Sequence, residues 1–232
     1  MKKVAILVDG GFYRKRAGHV KGHVTPKERA EELHEYCRRH LKERSFGKGQ
    51  PVYDELYRIF YYDCAPISKQ VYHPLTQRTI DFGKSELKEW TESFFTELAK
   101  MRKVALRLGE LSDGGANFNL KPAITKQLLS GKKDISNLEE KDFSLSFQQK
   151  GVDMRIGLDI ASLSFKKQVD KIILIAGDSD FVPAAKMARR EGIDFILDSL
   201  GNPIKESLSE HIDGRKSCDD DYRNHQQNNK TN

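Results

Sequence analysis

The sequence predicts an α/β fold: a parallel sheet of about five strands with helices on both faces. Two near-continuous aliphatic runs, Val4-Ala5-Ile6-Leu7-Val8 and Ile172-Ile173-Leu174-Ile175-Ala176, have the pattern of strands buried on both sides. From Val152 onward, helical and strand patterns alternate with short joints, as right-handed crossovers in a parallel sheet require. Each of the two runs ends in an acidic turn, Asp9-Gly10-Gly11 after the first and Gly177-Asp178-Ser179-Asp180 after the second. Strand carboxyl ends are where ligands bind in open α/β sheets.

The elements follow in order. After the first strand, Thr25-Pro26-Lys27-Glu28 predicts a helix start with Thr as N-cap, Pro at N1 and an acid at N3, running to about Ser45. Gly18 and Gly22 argue against a regular helix between these two elements. Leu56 to Tyr62 is an aromatic-rich second strand ending at Asp63, in which Tyr57, Phe60 and Tyr62 read as packing residues. Residues 63–83, with Pro66, Pro74 and Gly83, read as an irregular insertion. A helix from about Ser85 to Met101 places Leu87, Trp90, Phe94, Leu98 and Met101 on one apolar face. Val104 to Leu108 is a third strand, and 109–149 reads as a long insertion without clear periodicity. Val152 to Phe165 is a helix with Asp153 in its first turn. The strand 171–176 leads through the acidic turn into a helix from about Phe181 to Glu191, closed by Gly192, and Ile193 to Leu197 is a fifth strand. Residues 1–212 therefore read as one domain and 213–232 as a polar, disordered tail.

Composition narrows the function. The chain has 232 residues, with 40 Lys and Arg against 34 Asp and Glu, a formal net charge of +6. A surface that is basic despite its acidic clusters suits a polyanion such as nucleic acid, although such an excess also reads as ordinary solvation. Cys37, Cys64 and Cys218 are odd in number and form no CxxC pair, which points away from a disulfide framework or zinc ribbon and toward a reducing cytoplasm. Cys64 reads as structural. No stretch approaches the roughly 20 apolar residues of a membrane span, and Asp9 interrupts the opening apolar run too early for a signal peptide. The protein is expected to be soluble and cytoplasmic.

The third acidic cluster, Lys150-Gly151-Val152-Asp153, joins the other two to give four candidate carboxylates, Asp9, Asp153, Asp178 and Asp180. Two carboxylates about 4 Å apart repel by roughly 4 kcal/mol at an effective dielectric of about 20, so such a group must protonate or bind a cation. The donors are all oxygen, which suits Mg²⁺ or Mn²⁺ and phosphoryl transfer or hydrolysis. Each acid has a plainer reading: Asp9 as a turn former before Gly10-Gly11, Asp180 as the N-cap of the helix from Phe181, Asp153 as a first-turn acid. Asp159 is second-tier, about 120° round the helix from Asp153 and four residues after Arg155, with which it can pair. Lys150 and Ser179 are weaker nucleic-acid contacts, while Lys121, Lys126, Lys132 and Lys133 read as solubility charges. His19 and His23 have zinc-ligand spacing but lack the helix to present them together.

Lys-Gly-Val-Asp at 150–153, Asp159, Gly-Asp-Ser-Asp-Phe at 177–181 and Arg58-Ile59-Phe60-Tyr61-Tyr62-Asp63 together resemble the NYN domain family of PIN-like nucleases, in its LabA or DUF88 branch. The resemblance implies a PIN-like (NYN) sheet flanked by helices, Mg²⁺ or Mn²⁺ held by Asp9, Asp153 and Asp178 with Asp180 as a further ligand or organiser of water, and endonucleolytic cleavage of single-stranded or structured RNA. A homodimer follows only by analogy. Many such nucleases carry Asn three residues after the first Asp, where this chain has Phe12. That departure keeps a second reading open, a catalytically weak or inactive RNA-binding module. A haloacid-dehalogenase-like phosphatase would need an acid at position 11, which is Gly, and a Toprim site a strand-end Glu where the first strand supplies Asp9. Gly10-Gly11 also lacks the GxGxxG loop of dinucleotide binders.

Overall fold

The computed structural model describes residues 1–43, 50–111, 116–147 and 149–228. They form two compact units, the first from Met1–Asp63, Ser93–Gly109 and Gly151–Asn232, the second from Cys64–Glu92 and Glu110–Lys150.

The first unit is built on six parallel strands, β1 (Lys3–Asp9), β2 (Glu55–Cys64), β3 (Val104–Leu111), β4 (Lys171–Ile175), β5 (Asp194–Asp198) and β6 (Gly214–Arg215), in the order β3-β2-β1-β4-β5-β6. The order reverses between β1 and β4. Connections leave on opposite faces there, and the crevice this opens beyond the carboxyl ends is the ligand position of doubly wound sheets. The register aligns Val8 with Tyr61 on one side and with Ile175 on the other, and Ile175 with Asp198. Asp9 and the Ala176-Gly177-Asp178 turn therefore emerge at the same level.

Both faces are covered, as the aliphatic runs predict. Ala5, Leu7, Ile172, Leu174, Phe195 and Leu197 pack against Ile156, Ile160 and Leu163 of α4 and Ala185 and Ala188 of α5. Here α4 is Val152–Phe165 and α5 is Val182–Arg190. The alternate residues Val4, Ile6, Val8, Ile173 and Ile175 are equally buried. The remaining helices are α1 (Gly10–Lys21), α2 (Pro26–Arg39), α3 (Glu86–Lys100, in this unit from Ser93), α6 (Glu206–Ser209) and α7 (Asp220–Asn228).

Several expectations change. The segment thought unlikely to be helical is α1, because the Asp9 side chain caps it and it ends at Gly22 with φ 74°, beyond the disfavoured Gly18. α2 carries the predicted capping box, Thr25 with Glu28, but stops at Arg39; Ser45 lies outside the described residues. Ser85, where the helix was expected to begin, caps α3, its Oγ accepting from Lys88 N at 3.3 Å, yet Leu87 is 66% exposed, so the apolar face is only partly core. The 213–232 stretch, expected to be a disordered tail, contributes β6 and α7. Tyr222 of α7 is fully buried, and this one aromatic anchors a helix whose other residues are polar. In the second unit, residues 64–83 contain the hairpin Gln70–His73 with Arg78–Asp81. Residues 110–149 contain the hairpin Asn117–Leu120 with Phe143–Ser146 and the helix Pro122–Leu129. Its aromatic centre is His73 between Phe118 and Phe143, with ring centroids 4.4 and 5.1 Å away.

Gly10 shows how tightly α1 meets the sheet. A Cβ there would overlap the Tyr61 phenol and lie 2.7 Å from Asp63 Oδ2, and Tyr61 is itself fully buried. Gly10→Ala is expected to cost about 2 kcal/mol and lower Tm by roughly 4–8 °C in a thermal melt; an unchanged Tm would contradict the packing.

Candidate metal centre

Asp9 is the last residue of β1 and the N-cap of α1, its Oδ1 accepting from Phe12 N at 3.1 Å. Burial pushes its carboxyl from 3.8 up to about 6, opposed by hydrogen bonds from Phe12 and Gly11, with Asp153 and Asp63 adding to the rise. Asp63 is already spoken for: Arg14 grips it through Nε to Oδ2 at 2.9 Å and Nη2 to Oδ1 at 3.0 Å, and the Tyr61 hydroxyl donates to Oδ2 at 2.9 Å. It is a structural anion between α1 and β2.

Asp153 lies in the first turn of α4, beginning after Gly151, whose φ of 81° favours the residue without a side chain. Partial burial raises its pKa, and Asp178 and Asp180 raise it further. Asp178 caps the turn Ser179–Phe181, Oδ1 accepting from Asp180 N at 3.1 Å. The cap expected of Asp180 thus belongs to Asp178, and the residue preceding α5 is Phe181. Asp9 senses Asp153, and Asp153 senses Asp178 and Asp180, so Asp153 stands between the other acids at the switch point. Among the described residues none of the four forms an ion pair.

Among the described residues, no three His, Cys, Asp or Glu side chains stand close enough to grip an ion in common. The chemistry of the donor set still fits a hard divalent cation, since every donor is a carboxylate oxygen, Asp9 lacks a cationic partner, and Mg²⁺ keeps several waters that extend its reach.

The other predicted residues divide. Ser179 faces a cation that the sequence did not single out: Lys205 Nζ donates to its Oγ at 3.1 Å. Only the turn after β5 brings Lys205 there, and no local motif marks it. Asp159 is held by Arg107 Nε at 3.1 Å and the Tyr62 hydroxyl at 2.7 Å, so its partner is Arg107 on β3 rather than Arg155. Lys150 pairs through its backbone with Glu110 in the second unit, and its side chain lies outside the described residues. His19 sits in α1 and His23 beyond Gly22, and neither belongs to a metal-holding group among the described residues. Phe12 has a clear structural role. A Cβ on Gly177 would be 2.5 Å from Phe12 Cε2, so the ring rests on the glycine that opens the acidic turn. Gly177 and Phe12 fit each other.

The sequence profile of the NYN domain matches residues 95–213. That stretch holds Asp153, Asp159, Asp178 and Asp180, while Asp9 precedes it. A crystal structure of a protein of unknown function, VPA0982 from Vibrio parahaemolyticus, is similar over 95% of this chain and 94% of its own, with 14% identity and a TM-score of 0.47. No curated protein matches the chain. The profile spans just over half of the 232 residues, and this protein belongs to the NYN domain family, within the PIN-like superfamily.

Proposed function

We propose that the protein is a Mg²⁺- or Mn²⁺-dependent ribonuclease that hydrolyses RNA phosphodiesters endonucleolytically, with Asp9, Asp153, Asp178 and Asp180 as its metal-holding acids. The reading rests chiefly on the placing of these four carboxylates at the switch point, where Asp153 feels the charge of Asp178 and Asp180 and adds to the rise at Asp9, and where none of the four forms an ion pair among the described residues. Membership in a family of PIN-like nucleases supports the reaction class. When bound, a divalent cation supplies an acidified water and charge stabilisation for an in-line displacement.

The chain's own residues set the geometry. Asp9 is fixed by the N-terminus of α1, where the Phe12 amide orients its Oδ1. Asp178 is fixed in the same way by the Asp180 amide. Lys205 and Ser179 present an ammonium and a hydroxyl beside the acids, which suits a non-bridging phosphate oxygen. Lys205→Ala is expected to lower cleavage about tenfold, mainly through KM, with no change in Tm; unchanged kinetics would remove Lys205 from the site.

Phe12 favours a second reading, an RNA-binding module with weak or no turnover, because its ring offers no amide to orient water. Labelled single-stranded RNA, structured RNA and DNA, each incubated with Mn²⁺, Mg²⁺ or EDTA, separate the two. Internal cuts in RNA that stop with EDTA support the ribonuclease, and metal-sensitive RNA binding without cuts supports the module. Cleavage insensitive to EDTA would contradict the proposed site. Cytoplasmic residence is proposed from the three free cysteines, and no helix among the described residues is long and apolar enough to cross a membrane.

A further inference from the structure

The chain's positive charge is unevenly shared. The second unit carries 10 Lys and Arg against 10 Asp and Glu, which leaves 30 against 24 and the whole +6 in the first unit, although that unit also holds the four site aspartates. An open groove of about 1660 Å³ at the amino-terminal edge of the sheet gathers much of this charge: nine of its lining residues are Lys or Arg and five are Asp or Glu. Such a volume exceeds the roughly 300–1,000 Å³ of small-ligand pockets and suits a polymer. The groove lies beside the starts of β2, β4 and β5, at Glu55, Lys171 and Asp194, whereas the acids of the proposed site stand beyond the strand ends. With β1 running from Lys3 to Asp9, roughly 20 Å separate the two edges.

Most of the groove's carboxylates are engaged within the fold. Lys171, 5% exposed, places its Nζ 2.7 Å from Glu43 Oε1 and 2.9 Å from Asp54 Oδ2, and Lys2 Nζ reaches Asp194 Oδ2 at 2.9 Å. Three cations are left over. Arg38 in the last turn of α2, Lys42 just beyond it and Arg102 after α3 are exposed, and none of them has an ion pair or side-chain hydrogen bond among the described residues. Lys42 also sits directly opposite Tyr53 where the short strand Lys42–Glu43 pairs antiparallel with Val52–Tyr53. Residues so opposed share a face, with Cβ atoms about 4.5–5.5 Å apart. Tyr53 lines the groove and is 54% exposed. An exposed ring beside unpaired cations is how single strands are bound, the bases stacked on the aromatic and the phosphates held by the charges.

We propose that this groove is a second binding site for single-stranded RNA, separate from the acid cluster, in which Arg38, Lys42 and Arg102 hold backbone phosphates and Tyr53 stacks on a base. The choice of RNA among polyanions rests on the ribonuclease reading above, but the binding itself requires neither metal nor cleavage. Phosphates follow one another at about 3.4 Å along each strand of a duplex, so an RNA on the order of ten nucleotides is needed to engage groove and acids together. Contacts this far from the scissile bond are the same before and during the reaction. They therefore favour long RNAs through KM rather than kcat.

The test is fluorescence anisotropy of a labelled single-stranded RNA of roughly 20 nucleotides with the full chain in EDTA, over a range of KCl concentrations. Replacing Arg38, Lys42 and Arg102 together by Ala should weaken binding at least about tenfold and make log K fall less steeply with log salt by about 2, at roughly 0.7 per phosphate contact. Tyr53→Ala should weaken binding about tenfold and leave the salt slope unchanged, as loss of one stacked base requires. All four side chains are exposed, so both variants should keep the wild-type Tm. Because the measurement needs no cutting, losses of this size alongside a wild type that cleaves nothing in Mg²⁺ or Mn²⁺ would uphold the groove and remove the ribonuclease. Wild-type affinity in the triple variant or in Tyr53→Ala, or duplex DNA bound as tightly as single-stranded RNA, would overturn the proposal.

Discussion

Asp178→Asn is expected to leave the protein folded and to cut metal-dependent RNA cleavage by at least about a hundredfold, a few kcal/mol of transition-state stabilisation. In the proposed site this side chain has two jobs. As an N-cap it accepts from the Asp180 amide, and an Asn carbonyl does that as well. As a metal donor it would supply full negative charge, which Asn lacks. Circular dichroism and Tm should therefore match wild type while turnover collapses. Normal cleavage by a folded variant would mean that the site is elsewhere.

Asp9→Asn is expected to do something less intuitive: stabilise the metal-free protein at pH 7. The Asp9 carboxyl sits at about 6 in the fold against 3.8 as its ordinary value, so the folded state holds its proton more tightly than the unfolded chain does. The stability this group contributes is fully present below about pH 4 and is lost as pH rises through about 6. The rise amounts to about 3 kcal/mol at full effect. An amide is neutral at every pH and caps α1 equally well, so the variant should gain about 1–3 kcal/mol at pH 7 in urea melts, with little difference near pH 4. Mn²⁺ should reverse the ranking by stabilising wild type and leaving the variant unmoved. Equal stability of the two proteins across this pH range would contradict the account of Asp9.

The two central strands and the strand-end position of Asp9 and Asp178 are legible in sequence because burial on both faces demands an uninterrupted aliphatic run, and nothing else in the chain has one. α4 is legible to the residue, Val152–Phe165, from the spacing of Ile156, Ile160 and Leu163. α1 is hidden because its three glycines count against a helix, whereas what forms it is a cap and a close approach to Tyr61, both tertiary facts. β6 and α7 are hidden because one buried tyrosine, Tyr222, does what periodicity usually announces. The hairpins of the second unit are short and their alternation is weak. Within the site, the acids stand out by motif, but Lys205 and the Phe12–Gly177 contact arise where separate elements meet and leave no trace in spacing. Arg107 displaces Arg155 as the partner of Asp159 for the same reason, since a neighbouring strand outcompetes the local helical pair.

The central claim is that four aspartates at the reversal of the sheet hold a divalent cation. Calorimetric titration of Mn²⁺ into the protein at pH 7, alongside Asp178→Asn, tests it most directly. Saturable binding by wild type that is lost or weakened at least about tenfold in the variant is the predicted result; absence of saturable binding, or equal binding by both proteins, would contradict it.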